Sequence, residues 1–155
     1  MAFQPSWRNF RRMQVSLLAA ASLIYAGAVA HAWRVLPWTH EMKLQRTLIW
    51  PGVFFVLSLG LILAMAPLRR MLARHMWVSF RTGFGQSAIS VLAAVLVLLV
   101  MAGFIYWQTW QAANGGRYPA GVFSGYAAGI GLLLAQVFLV KRLENDPTLR
   151  DQMGD

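Results

Sequence analysis

Histidine is the side chain in this sequence best suited to hold a metal or a tetrapyrrole, and there are three: His31, His40 and His75. His31 lies near the end of an apolar run, with Gly27 one helical turn before it leaving room beside the ring. A neutral imidazole there can ligate haem iron, or it can hydrogen-bond to water or a backbone carbonyl. A bis-histidine haem needs a second histidine at membrane depth, whereas His40 and His75 fall in charged segments. His31 is therefore the one candidate cofactor ligand, interfacial hydrogen bonding is its plainer role, and no cofactor is expected. His40 and Glu41 open the zinc-protease pattern His-Glu-x-x-His, but Leu44 stands where the second ligand belongs, so no metal site is expected.

The remaining chemistry is thin. The sequence has no cysteine, which removes disulfides, thiolate catalysis and cysteine-held metals. It has no Ser–His–Asp set and no carboxylate pair placed for acid–base work. Gly83 and Gly85 do not follow a strand, and Asn114, Gly115 and Gly116 read as a turn rather than a phosphate loop. Proton relays and coupled transporters keep ionisable groups inside the membrane because those groups do the work. Here the apolar runs hold only His31, a few hydroxyls and Gln136. No catalytic residue is expected.

Small residues are patterned more strongly than reactive ones. Gly121, Gly125 and Gly129 recur every four residues, and Ser124 and Ala128 widen the same face. Glycines at that spacing let a second helix backbone approach closely, the main source of helix association in lipid. Ser22, Ala26 and Ala30 make a comparable ridge earlier in the chain. These ridges are expected to pack helices, either against each other or against another subunit or a second copy.

The elements that carry these residues follow from hydropathy. The chain of 155 residues is 58% apolar and only 12% charged, against about half and a quarter in ordinary soluble domains. Four runs contain no Asp, Glu, Lys or Arg: 15–33, 48–66, 88–106 and 121–140. Roughly 20 helical residues cross a hydrocarbon core of about 30 Å, and a backbone in lipid must bond to itself. The expected fold is an all-α integral membrane domain covering 1–155, with four antiparallel transmembrane helices in two hairpins. A tandem repeat of one hairpin is an alternative, since Trp50-Pro51-Gly52 and Tyr118-Pro119-Ala120 open the second helix of each.

The net charge of +9 comes with bases that flank the apolar runs. Anionic lipid heads, not nucleic acid, are the partner this implies. Of the 14 bases, ten lie in 1–14, the central loop and 141–155, while Arg34, Lys43, Arg46 and Arg117 lie in the other two loops. Short basic loops stay inside, so both tails, 1–14 and 141–155, are expected to be cytoplasmic and the protein to sit in a bacterial inner membrane. Trp33, Trp38, Trp50, Trp107 and Trp110 would then form an aromatic belt on the outer face.

Ala28, Ala30 and Ala32 also fit the cleavage positions of a secretory signal, but the apolar run exceeds the usual core of about 7–15 residues. In the central loop, Pro67 can open a short interfacial helix. Leu68, Met71, Leu72 and Met76 would face lipid there, with Arg69, Arg70, Arg74 and Arg81 holding lipid headgroups. The acidic tail is expected to fray beyond Pro147. Together these features point to a non-catalytic accessory or assembly subunit of a membrane complex. A haem-binding electron-transfer anchor and a small oligomeric channel or transporter are the alternatives.

Overall fold

The computed structural model describes residues 6–83, 88–118 and 121–152. Every element among them is helical: α1 (Trp7–Val35), α2 (His40–Leu44), a π-helical turn (Gln45–Ile49), α3 (Trp50–Ala64), α4 (Ala66–Arg81), α5 (Ala88–Ala113), α6 (Val122–Asn145) and α7 (Pro147–Asp151). Segment α2, the π-turn and α3 join into one rod, His40–Ala64. That rod, α1, the Leu92–Ala113 part of α5, and α6 are each long and apolar enough to cross a membrane. Val56, Leu57 and Leu61 on α3 and Leu92, Leu96, Val97, Leu99 and Val100 on α5 are all more than half exposed. A water-soluble surface does not carry apolar faces of that extent; lipid satisfies them.

The helices outrun the apolar runs that generate them. Within the expected tails, the residues from Trp7 to Gln14 form the first two turns of α1, and those after 140 continue α6 to Asn145. Both extensions are held by packing. Phe10 and Leu143, each 1% exposed, share a cluster with Met76, Phe80 and Val140. Trp7 stacks on Phe80 with ring centroids 3.7 Å apart. The end expected to fray also folds: α7 is capped by Asp146, whose Oδ1 accepts from the Thr148 and Leu149 backbone N–H groups at 3.1 and 3.4 Å.

Close packing follows the order α3, α6, α1, α5 and does not follow chain order. Helix α6 lies between α1 and α3 and is the most enclosed, with Phe123, Tyr126, Ala127, Gly131, Ala135, Leu139 and Val140 buried. Helix α1 meets α6 through Arg11 and Glu144 near one end, and through Tyr25 with Phe123 and Tyr126 farther along. This places the start of α1 and the finish of α6 together, at what we call the terminal end. The distal end gathers Ala28, Ala32, Leu36, Ile105, Ala112, Phe123 and Tyr126 into a second cluster.

Helix α4 turns off the rod at Met65, whose extended backbone (φ −82°, ψ 111°) breaks the helix and lets Pro67 occupy the first turn of the next. The Arg69 guanidinium reaches back and donates to the Leu63 carbonyl at 2.6 Å, serving an otherwise unpaired end of α3. The apolar side of α4 divides. Met71 is 65% exposed, but Met76, expected to face lipid, is 2% exposed and packs within the protein instead. Phe10 of α1 and Leu143 of α6 join it in one cluster, because both helices run beyond their apolar cores.

Candidate functional site

Three places gather the residues that could do something. The first is a polar knot at the distal end. Pro51 has no N–H, so the carbonyl of Thr47, four residues back, loses its helical donor. The rod widens into the π-turn at this point, with the Trp50 N–H donating to Gln45 O. The Tyr25 hydroxyl of α1 then donates to Thr47 O at 2.5 Å. Trp33 Nε1 donates to Thr47 Oγ1 at 2.8 Å, and Thr47 Oγ1 donates to Lys43 O at 2.7 Å. Lys43 Nζ reaches Trp33 O at 2.7 Å. Thr47 is wholly buried. A neighbouring helix in this way re-satisfies a proline-interrupted segment.

Around the knot stand aromatic pairs. Trp38 meets Tyr118 edge-on at 5.1 Å, and Arg46 lies over the Trp38 ring at 4.8 Å. Burial pushes the Tyr118 phenol up to about 12, so it stays neutral. His31 is half-buried, with its ring 5.2 Å from that of Tyr106. The room expected beside Gly27 is taken: a Cβ on Gly27 would lie 2.7 Å from the Tyr106 hydroxyl. His40 packs on Trp33, not on His31. Among the described residues no group of three or more His, Cys, Asp or Glu converges on a metal position.

The second place is the glycine stripe of α6. Gly121 has φ 96° and caps the helix from outside. Gly125 and Gly129 have open space where a Cβ would stand. Ser124 is buried, and the Ala128 carbonyl accepts from Ser58 Oγ of α3 at 3.1 Å. The expected face is therefore split, with Ser124 buried and open space beside Gly125 and Gly129. Close approach to α3 belongs to Gly131, where a Cβ would lie 2.8 Å from Phe55 O and would collide with Ser58 Oγ. Grooves flank Gly125 on both sides, one toward Trp50 and Phe54 and one toward Met101 and Phe104. The expected ridge of α1 likewise faces outward: Ser22, Ala26 and Ala30 are exposed, while Ala21, Ala28 and Ala32 make the buried side.

The third place is a cavity of about 540 Å³ at the terminal end, between α4, α6 and α7. Arg69, Arg70, Arg74 and Arg142 line it, with Ala73, Leu139, Leu143 and Leu149 as its apolar wall. Arg81, grouped with these arginines by sequence, sits exposed at the far end of α4 and does not line the cavity. Arg142 joins them because α6 continues past its apolar run to Asn145.

No protein-family model, curated protein or solved structure matches the chain.

Thr47, Gln14, Gln108 and Thr109 are buried polar residues that sequence patterning passes over. One signal for Thr47 was present: a hydroxyl residue four positions before a proline marks the carbonyl that proline leaves without a donor. Gln14, Gln108 and Thr109 carry no comparable mark.

Proposed function

We propose that this chain is a non-catalytic accessory or assembly subunit of a larger membrane complex, docking a transmembrane helix of a partner subunit along Gly125 and Gly129. The observation that carries this reading is the open space beside both glycines on the helix that is otherwise the most enclosed of the four. Glycine in a helix interior costs about 0.5–1 kcal/mol relative to alanine, and of the glycines within α6 only Gly131 has that cost offset by close packing inside the chain. A helix crossing at Gly125 and Gly129 would gain the same close approach.

In this reading the helices run antiparallel as two hairpins in a bacterial inner membrane. Ten bases on the terminal side against four on the distal side favour cytoplasmic termini. Helix α4 then lies in the inner interface with Met71 toward lipid and Arg70 and Arg74 toward water.

The sequence has no cysteine, so Gly129→Cys introduces a single thiol for cross-linking in native membranes. The expected product is a discrete adduct to another membrane protein, which also co-purifies with the unmodified chain in mild detergent. A monomer without co-purifying protein and without adduct overturns the reading. A haem band in the absorption spectrum of the same sample would replace it with an electron-transfer anchor.

A further inference from the structure

The arginine-lined cavity has a use that subunit docking does not require. Two of the carboxylates near it are already engaged. Glu144 pairs with Arg11 on the opposite side of α6, and Asp146 is occupied capping α7, with the Thr148 hydroxyl holding it below the usual carboxylate range. Asp146 still contributes some negative field at Arg142. Among the described residues, Arg70, Arg74 and Arg142 have no carboxylate at ion-pair distance. Arg69 is held in place by its bond to Leu63 O.

The cations are all arginine, whose planar fork matches the paired oxygens of a phosphate better than a lysine point charge does. The cavity is also two-sided in polarity: its wall of Ala73, Leu139 and Leu143 belongs to the buried core, and those residues sit where α4 and α6 leave the apolar zone. Basic pockets between membrane helices at this depth suit phospholipid heads.

We propose that the cavity between α4, α6 and α7 seats the phosphate head of one anionic membrane lipid, with Arg70, Arg74 and Arg142 on the phosphate oxygens. Phosphate recognition is chemistry shared with a soluble phosphate; the apolar wall favours the lipid. Arg69 orients the site and Leu149 of α7 closes it.

The test is native mass spectrometry of the full-length protein in mild detergent, titrated separately with phosphatidylglycerol, phosphatidylcholine and inorganic pyrophosphate. One phosphatidylglycerol is expected to stay bound per chain, in preference to phosphatidylcholine. Arg74→Gln and Arg142→Gln are expected to weaken it roughly five-fold each, and Arg74→Lys and Arg142→Lys to recover part of the loss. Both arginines are exposed, so helical content and thermal midpoint are expected to hold in every variant. Arg117→Gln removes the same charge from the distal side and is expected to change nothing. Equal weakening by Arg117→Gln would reduce the effect to diffuse charge and overturn the site. Equal binding of phosphatidylcholine would also overturn it. Pyrophosphate binding without phosphatidylglycerol binding would assign the cavity to a soluble anion and overturn the lipid.

Discussion

Helix α6 has two glycine faces that differ in everything except residue type. At Gly131 the backbone of α3 comes so close that no side chain fits, and Ser58 bridges to the Ala128 carbonyl nearby. At Gly125 and Gly129, on another side of the same helix, nothing stands within contact distance of a Cβ. Glycines repeat at four-residue spacing on the open side, while the closed side sets one glycine between the buried alanines Ala127 and Ala135 at the same spacing. A small-residue pattern thus reports where a backbone can be approached, and a neighbour's position decides whether it is.

The sharpest way to break this contrast is Gly131→Ala. The new methyl must push Phe55 and Ser58 of α3 aside, and overpacking of that kind costs about 1–3 kcal/mol, read as a lowered thermal midpoint in detergent. Gly129→Ala, two residues away, should not lower that midpoint, and equal destabilisation by both would erase the distinction.

Tyr25→Phe is the next largest. It withdraws the phenol from Thr47 O, and a buried carbonyl left without that donor costs about 1–2 kcal/mol. Pro51→Ala restores a backbone donor to the same carbonyl, so the cost of Tyr25→Phe should shrink in the Pro51→Ala background. An unchanged cost in that double-mutant cycle would separate the proline from the tyrosine.

Gly27→Ala should follow at about 1 kcal/mol or less, because the obstacle is the tip of Tyr106 and not a backbone. Gly125→Ala and Gly129→Ala should cost the isolated chain nothing and stabilise it by up to about 0.5–1 kcal/mol. In mild-detergent pull-downs the same two variants should lose the partner protein that the wild type retains.

Hydropathy made the four membrane-length helices legible, since each follows from a charge-free run and the physics of a backbone in lipid. Their ends were less so. Arg8, Arg11 and Arg12 signalled a tail, yet Phe10 between them anchors α1 to α4 and α6. Which helix touches which was not written in spacing. Ser22, Ala26 and Ala30 share a face as regular as that of Ala21, Ala28 and Ala32, and only the arrival of α5 and α6 selects the second. The arginines were visible singly as headgroup contacts. Their convergence was not, because it depends on Arg142 being carried past the apolar core and on α7 folding where a loose tail was expected.

The packing order of the four long helices bears on how the protein is made. Ribosomes deliver α1, the α2–α3 rod and α5 first; α1 meets the rod through Tyr25 and Trp33 on Thr47 and through Lys43 and His40 on Trp33, and it meets α5 directly. The helix that fills the middle is synthesised after all of them. Nascent chains stalled before α6 should therefore be clients of membrane quality control, and the seam between α1 and α3 must stay parted until their common neighbour slides in.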